Sequence, residues 1–186
     1  MTTILKERIV FDNKITLEEA QIEAAGKKFS RLRVNREDAV AMLILNDQSG
    51  KVVLTRQFRY AIMDKTEQSI LEIVAGKINE EEDPLETAIR ETAEETGYKI
   101  KKENTRLLLS CFASPGYSSE RLFIYSTHVT NADKVSEGGG LKEENENIEV
   151  VEMDIHEFMD HIRKGRFNDA KTYLAGMHLL LHNNPL

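Results

Sequence analysis

The feature that most constrains this chain is a short helical segment that carries almost all of its net charge. Asp83 is a typical helix N-cap, Pro84 suits the first helical position, Glu86 completes a capping box and Gly97 is a typical stop. Residues 76–98 hold eight acidic and two basic side chains, a local charge of −6, while the whole chain carries −7. We therefore expect one amphipathic helix with a strongly acidic exposed surface.

The inner face of this helix follows the three- and four-residue spacing of a buried stripe. Its members are Leu85, Ala88, Ile89, Thr92, Ala93 and Thr96. Glu91, Glu94 and Glu95 lie off the stripe, and their carboxylates meet on one surface because they are three and four residues apart. Most acidic faces are simply solvated, but such faces usually interleave Lys or Arg, and here only Arg90 does so. The spacing favours a divalent cation such as Mg²⁺, which prefers carboxylate oxygens.

The same residues fit a longer pattern. Gly76, Glu82 and the run from Arg90 to Tyr98 resemble the Nudix box, G-x5-E-x7-R-E-U-x-E-E-x-G-U, in which U is apolar. All seven fixed letters match, and Thr92 is the one departure, at a position where an aliphatic residue is expected. At roughly 7% usage per residue type, the chance of such a match in a chain of this length is about one in a million. The chain is identified as a member of the Nudix hydrolase superfamily.

The resemblance implies an α/β fold, namely the Nudix α/β/α sandwich with a mixed sheet, and a small N-terminal antiparallel β subdomain. The subdomain would comprise residues 1–36, serve dimerisation and lie on the substrate side. Residues 37–186 would form the hydrolase domain, with the box at 76–98. The resemblance also implies a homodimer, which nothing in the composition indicates.

Further motifs are similar to those of the nucleoside diphosphate sugar branch of the family. Arg56-Gln57-Phe58-Arg59, Glu72-Ile73-Val74-Ala75-Gly76, Ser114-Pro115-Gly116, Glu120-Arg121 and Asn168-Asp169-Ala170-Lys171-Thr172 resemble the ADP-ribose pyrophosphatases. Gly138-Gly139-Gly140-Leu141 and the stretch from Glu144 to Val150 resemble the GDP-mannose hydrolases. The expected reaction is Mg²⁺-dependent hydrolysis of ADP-ribose to AMP and ribose 5-phosphate. The alternatives are GDP-mannose, giving GMP and mannose 1-phosphate, and a non-catalytic module that only binds a nucleotide.

The resemblance also implies roles for single residues. Glu91, Glu95 and the carbonyl of Ala75 would bind Mg²⁺, with Mn²⁺ as a possible substitute, and Glu94 and Glu82 would lie nearby. Glu95 is therefore also counted as catalytic. The general base would be Glu144, with Glu146 as the alternative, although loop acids of this kind are more often merely solvated. Arg90 would orient the carboxylates or, equally well, pair with Glu86 four residues earlier.

Substrate contacts are expected from a second set of residues. Arg59 would clamp a phosphate, since guanidinium offers paired donors to its oxygens. Arg56 is a weaker candidate, because a surface charge explains it as well. Glu120 would touch substrate or metal, and Tyr117 would stack on a base or cover its loop. The base and sugar would be chosen by the N-terminal strands, with Arg31 and Arg33 as the candidates.

Composition excludes several other classes. An acidic chain is a poor candidate for nucleic-acid binding. No apolar run reaches the roughly 18 residues of a membrane span, and the N-terminus lacks the apolar core of a signal peptide. One cysteine, Cys111, excludes an internal disulfide and suits a reducing compartment, so a cytoplasmic protein is expected. His178 and His182 are more consistent with packing than with zinc, because no third ligand is evident.

Alternating apolar residues predict the remaining elements. Strands are predicted at 4–11, 15–24, 29–36, 39–45, 51–58, 69–78, 106–112, 121–130 and up to 153, with helices from 154 and near 169–181. Residues 131–147 are predicted to form a long loop, and a loop of this length is usually functional or disordered.

Overall fold

A computed structural model describes residues 1–66, 69–141, 143 and 146–183 of the chain. The strands are β1 (Thr2–Asp12), β2 (Thr16–Ala24), β3 (Lys27–Asn35), β4 (Ala39–Asn46), β5 (Lys51–Phe58), β6 (Ser69–Glu72), β7 (Val74–Lys77), β8 (Thr105–Phe112), β9 (Arg121–Val129) and β10 (Glu149–Asp154). The helices are α1 (Pro84–Thr96), α2 (Ile155–Arg163) and α3 (Ala170–Asn183). None of the described helices is long and apolar enough to cross a bilayer.

The chain divides into two compact units. The first comprises Met1–Ala39 and Cys111–Leu122, and the second comprises Val40–Ser110 and Phe123–Leu186. In the first unit, β1, β2 and β3 form an antiparallel sheet in that order. Its β2–β3 turn places Ala25 and Gly26 at φ values of 51° and 73°, the left-handed conformation that a tight two-residue hairpin requires. The predicted N-terminal antiparallel sheet is therefore confirmed.

The second unit is built on a mixed sheet with helices packed against it. Its strand order is β10-β5-β4-β9-β8, with β6 beside β5 and β7 beside β4. Val40, Met42 and Ile44 of β4 join one buried cluster with Ala88 of α1. Because side chains alternate along a strand, the remaining residues of β4 face the opposite side of the sheet, where Leu43, Leu45 and Leu179 of α3 line a cavity of about 60 Å³. Helices thus cover both faces, as the sandwich prediction requires.

The segment predicted as one strand at 69–78 is two strands. β6 pairs with β5 and β7 pairs with β4, so the chain changes neighbours at Ile73. At this break the backbone N–H of Ile73 donates to the hydroxyl of Thr172 at 3.0 Å instead of to a neighbouring strand. The sequence could not show this break, because Ile73 is apolar like Val74 after it and is as buried as both Glu72 and Val74.

Helix α1 begins and ends where the sequence predicts, but its contacts differ in two respects. The Asp83 carboxylate accepts from the backbone N–H of Leu85 at 2.9 Å and of Glu86 at 3.2 Å, and Gly97 ends the helix with φ 75°. Glu86 was expected to close a capping box, yet its carboxylate accepts from Lys102 Nζ at 2.5 Å. Glu95, expected off the buried stripe, is buried.

The cap at Asp83 generates a prediction about stability. Replacing Asp83 by Ala leaves two helix N–H groups without their acceptor, which costs about 1 kcal/mol. For a chain of this size the melting temperature should fall by about 2–4 °C in a thermal scan. Asp83→Asn keeps a capping oxygen and is the matched control. Equal losses in both variants would show that the charge at Asp83, rather than the cap, stabilises the helix.

Candidate active site

The centre of the candidate site is the carboxylate of Glu95. It is only 2% exposed, and its Oε2 has no hydrogen-bond partner among the described residues. Burial, followed by the charges of Glu91, Glu146 and Glu72, raises the pKa of Glu95 to about 9. A buried, unpaired carboxylate is costly unless it is protonated or neutralised by a cation. Glu95 is therefore poised to receive positive charge.

Glu91 lies one turn earlier on the same side of α1. Burial raises the pKa of Glu91 to about 7, although Arg90 acts in the opposite direction. One carboxylate oxygen of Glu91 lies 2.9 Å from Arg90 Nη1. Its side chain also packs over Gly76 of β7, where an added Cβ would overlap the Glu91 carboxylate. The glycine thus gives Glu91 its space, and Ala75, the candidate carbonyl ligand, is the preceding residue of the same strand.

Arg90 forms hydrogen bonds with two carboxylates, that of Glu82 before α1 and that of Glu94 on α1. Its Nε and Nη2 donate to the two oxygens of Glu82 at 3.1 and 3.2 Å, and its Nη1 donates to Glu94 at 2.9 Å. These bonds lower the pKa of Glu82 and raise that of Arg90. The alternative pairing of Arg90 with Glu86 was wrong, since Glu86 pairs with Lys102. Arg90 thus holds Glu82 and Glu94 beside the helix and leaves Glu95 without a cation.

The residues present fit a divalent metal. Among the described residues, no three acidic, histidine or cysteine side chains already stand in an arrangement that would hold an ion. Arg90 lies against one oxygen of Glu91 at 2.9 Å, so that oxygen is already paired. The unpaired oxygen of Glu95, the space at Gly76 and an all-carboxylate donor set nevertheless suit a hard cation such as Mg²⁺. Glu91 and Glu95 would hold it once Glu91 turns from Arg90.

Glu146 reaches this cluster from the loop before β10. Its Oε2 accepts from the backbone N–H of Leu141 at 3.0 Å. Its charge contributes to the raised pKa values of both Glu91 and Glu95, so it faces the same region. Glu144, the preferred candidate for general base, lies outside the described residues.

A second network of ion pairs connects Arg59 to the buried Glu72, and most of its members were not among the residues predicted to have a role. Arg59 Nε donates to Glu72 Oε1 at 2.8 Å, and Lys171 Nζ donates to Glu72 Oε2 at 3.2 Å and to Asp169 at 2.6 Å. Burial opposes the charge of Lys171, but Asp169 and Glu72 more than compensate and raise its pKa. Thr172 donates to the same Asp169 at 2.7 Å. The motif from Asp169 to Thr172 was the signal in the sequence. It resembled the ADP-ribose pyrophosphatases, but its spacing did not indicate what its side chains do.

The remaining candidates have other surroundings. Arg56 faces Glu149 across the β5–β10 pair at 3.4 Å, an exposed ion pair of the kind that a surface charge forms. Four more belong to the first unit, namely Arg31, Arg33, Tyr117 and Glu120. Their contacts there are Arg31 over the Phe29 ring at 4.5 Å, Arg33 with Glu18, Tyr117 through its backbone with Val34 and Glu120 with Arg36 at 3.4 Å. The ring of Tyr117 is exposed and free to stack.

The pKa of Glu95 predicts how stability depends on pH when divalent cations are chelated. The folded chain holds this proton to about pH 9, whereas the ordinary pKa of a glutamate is 4.5. Because the folded state binds more protons across this window, the contribution of Glu95 is fully present below pH 4.5 and is lost as pH rises. The loss is at most about 1.4 kcal/mol per pH unit. In EDTA the melting temperature should therefore fall between about pH 5 and pH 8.

Glu95→Gln removes this titration and should make the pH dependence shallower, with the remaining slope due to Glu91, whose pKa is raised to about 7. The exposed Glu80→Gln should leave the pH dependence unchanged. Added Mg²⁺ should raise the melting temperature of the unaltered chain most at the alkaline end. An identical slope in the unaltered chain and in Glu95→Gln would show that Glu95 is ionised in the folded state without help.

Known proteins share both the sequence and the fold. The NUDIX domain family matches residues 35–175. The ADP-ribose pyrophosphatase of Bacillus subtilis is 35% identical, over 96% of this chain and 92% of that protein. The GDP-mannose pyrophosphatase of Cronobacter sakazakii is 32% identical, over 96% and 94%. The methanol dehydrogenase activator of Bacillus methanolicus is 31% identical, over 96% and 92%.

Among solved structures, the crystal structure of an ADP compounds hydrolase superposes with a TM-score of 0.76 and 23% identity, over 97% of this chain and 94% of that one. At this identity the likeness shows the fold alone, which is a mixed sheet with helices. Nudix proteins generally use divalent metals, which agrees with the carboxylates of α1. The family match covers the sheet, the acidic helix and the start of α3, so the chain belongs to the Nudix family.

Proposed function

We propose that this protein is a Mg²⁺-dependent pyrophosphohydrolase of a nucleoside diphosphate joined to a sugar, with ADP-ribose as the leading substrate. The observation that carries the proposal is the buried, unpaired carboxylate of Glu95, which lies beside Glu91 within an intact Nudix box. All four glutamates of the box, Glu82, Glu91, Glu94 and Glu95, are present. The retained carboxylates therefore favour an enzyme.

The chain's own residues can meet the requirements for splitting a diphosphate. A bound Mg²⁺ supplies charge neutralisation on the phosphate oxygens and lowers the pKa of a coordinated water. Glu91 and Glu95 hold that ion, and Arg90 keeps Glu82 and Glu94 fixed behind them. Arg59 presents its guanidinium to a phosphate, because among the described residues its hydrogen bond to Glu72 uses Nε and leaves the two Nη groups for a ligand. A loop glutamate accepts the proton of the attacking water.

That base is proposed to be Glu144, with Glu146 as the alternative. Glu146 is held by the N–H of Leu141 and influences both Glu91 and Glu95, so its position supports a role at the same centre. A general base contributes about 10²–10⁴-fold to the rate. Either residue could take the water's proton, and the other would then help to hold the metal.

The substrate assignment rests on the relatives and on the motifs they share. ADP-ribose is favoured because the B. subtilis relative has the higher identity and because Arg59 and Pro115 match that branch. GDP-mannose is the second candidate, as the name of the C. sakazakii relative indicates. Both substrates place two phosphates between a nucleoside and a sugar, so the same carboxylates and Arg59 would serve either.

The test is to incubate the protein with ADP-ribose or GDP-mannose, in Mg²⁺ or EDTA, and then to remove the protein, restore Zn²⁺ and Mg²⁺ in excess over EDTA and add alkaline phosphatase. The phosphatase releases phosphate only from the cleaved monoesters. We expect Mg²⁺-dependent release, faster from ADP-ribose. Phosphate from neither substrate, under conditions in which the B. subtilis relative releases it, would contradict the proposal.

The roles of the carboxylates are tested by single amide substitutions. Glu95→Gln should lower kcat about a hundredfold or more, since the charge stabilisation by a bound metal is worth several kcal/mol. Glu144→Gln should lower kcat by about 10²–10⁴-fold, whereas the exposed Glu80→Gln should not change it. Full turnover by Glu144→Gln would make Glu144 wrong as the base, and a loss in Glu146→Gln would then assign the role to Glu146.

We also propose a homodimer formed through the N-terminal sheet. Every residue of β1 is exposed, and the apolar side chains among them include Ile9 at 60% and Phe11 at 52%. On the neighbouring strand β3, Leu32 is 55% exposed. The strand register places Phe11 and Leu32 on one face of this sheet and Ile9 on the other. Exposed apolar side chains of this kind mark an interaction surface, and a second copy of the chain is the proposed cover. The proposed partner is a nucleotide sugar and not a nucleic acid, because an acidic chain is a poor match for a polyanion. A cytoplasmic location is proposed because the single free Cys111 suits a reducing compartment.

Light scattering after size exclusion should report twice the chain mass of 21.2 kDa. Ile9→Glu places a charge at an exposed apolar position of β1 and should shift the protein towards the monomer. Leu181→Glu, at an exposed apolar position on α3, is the matched control and should remain dimeric. A dimer that survives Ile9→Glu and dissociates with Leu181→Glu would place the interface elsewhere.

A further inference from the structure

The run Gly138-Gly139-Gly140, here named the glycine clasp, lies against the C-terminal end of α1. The last carbonyls of a helix have no partner within the helix and need donors from outside. Gly139 N donates to the carbonyl of Glu95 at 2.8 Å, and Gly140 N donates to the carbonyl of Glu94 at 3.1 Å. The loop that carries Glu146 is thus fastened to the backbone of the candidate metal ligands.

Two members of the glycine clasp are in contacts that exclude a side chain. Gly138 has φ 70°, and an added Cβ would overlap the carbonyl of Glu95 and the backbone of Thr96. Gly140 has φ 78°, and an added Cβ would lie 2.5 Å from Glu146 Oε2 and 2.8 Å from Glu146 Cβ. Both positions require glycine for the left-handed conformation and for the close approach.

The contacts beyond the glycine clasp lead directly to the Glu146 side chain. Glu146 N donates to the carbonyl of Leu141 at 3.2 Å, and Leu141 N donates to Glu146 Oε2 at 3.0 Å. Ile148, which is buried, donates from its N–H to the carbonyl of Gly139 at 3.2 Å. A displacement of Gly140 would therefore move the carboxylate of Glu146 relative to Glu91 and Glu95.

We propose that Gly138 and Gly140 are positioning residues, which set the distance of Glu146 from the carboxylates of α1. The proposal rests on the hydrolase function proposed above. On this proposal the glycine clasp affects the rate and not the choice of sugar. Its resemblance to the GDP-mannose hydrolases therefore does not indicate a preference for GDP-mannose. Its substitution changes the rate for every substrate by the same factor.

Gly140→Ala tests the proposal, because its Cβ meets a side chain rather than backbone and the fold can accommodate it. Since a misplacement of about 1 Å can cost about a hundredfold, kcat should fall tenfold or more. KM should stay within about twofold, and the ratio of the ADP-ribose and GDP-mannose rates should not change. Gly50→Ala is the matched control, because Gly50 has φ 68° and no atom within 4 Å of an added Cβ. It should keep its kcat.

A double-mutant cycle asks whether Gly140 acts through Glu146. Glu146→Ala removes the atoms that the Cβ of Gly140→Ala would meet, so adding Gly140→Ala to it should cause no further loss of kcat. Losses that multiply in the double variant would overturn the proposal. So would a changed substrate ratio in Gly140→Ala, because this would show a specificity role.

Hydrogen exchange supplies a measurement that does not depend on turnover. In the unaltered chain the amides of Gly139, Gly140 and Leu141 should be protected, and Gly140→Ala should speed the exchange of Leu141. If the unaltered protein hydrolyses neither substrate, the proposed function fails while this experiment still decides the placement of Glu146. Unprotected amides at Gly139 and Gly140 in the unaltered chain would overturn the glycine clasp itself.

Discussion

The cost of burying negative charge governs the arrangement of the second unit. The charges of Glu91, Glu146 and Glu72 all raise the pKa of Glu95. Glu72 and Glu95 are almost fully buried. Carboxylates gathered in this way repel one another and lose their hydration, so each must be paired, protonated or bound to a metal. The structure meets this requirement differently for each residue, and the differences locate the candidate centre.

Three cations divide the carboxylates among them. Arg90 forms ion pairs with Glu82 and Glu94. Arg59 and Lys171 both form ion pairs with Glu72. Within the described residues Glu95 receives no such partner, and its Oε2 accepts no hydrogen bond. The surrounding carboxylates are paired while one buried oxygen of Glu95 is not, and this difference is why the proposed metal site is centred on Glu95.

Elements far apart in sequence hold this centre together. Thr172 at the start of α3 accepts from Ile73 at the break between β6 and β7, two residues before Ala75. The glycine clasp donates to the end of α1 from more than 40 positions along the chain. Hydrogen bonds donated by backbone N–H groups therefore fix the strand break to α3 and the loop to the end of α1. Such bonds leave little freedom for substitution at Gly138 and Gly140.

The family, the acidic helix and most strands could be predicted from the sequence, because the box requires given residue types at fixed spacing and hydrophobic periodicity marks most of the strands. The break between β6 and β7 could not. The sequence also indicated the ligand chemistry of Glu91 and Glu95. It did not show that Glu95 is buried, that Arg90 pairs with Glu82 rather than Glu86, or that Lys171 and Asp169 support Arg59 through Glu72. Those facts depend on which side chains meet after folding. The burial of a carboxylate and its pairing with a cation depend on which residues surround it in the folded chain, so they follow from the tertiary structure and not from the local sequence.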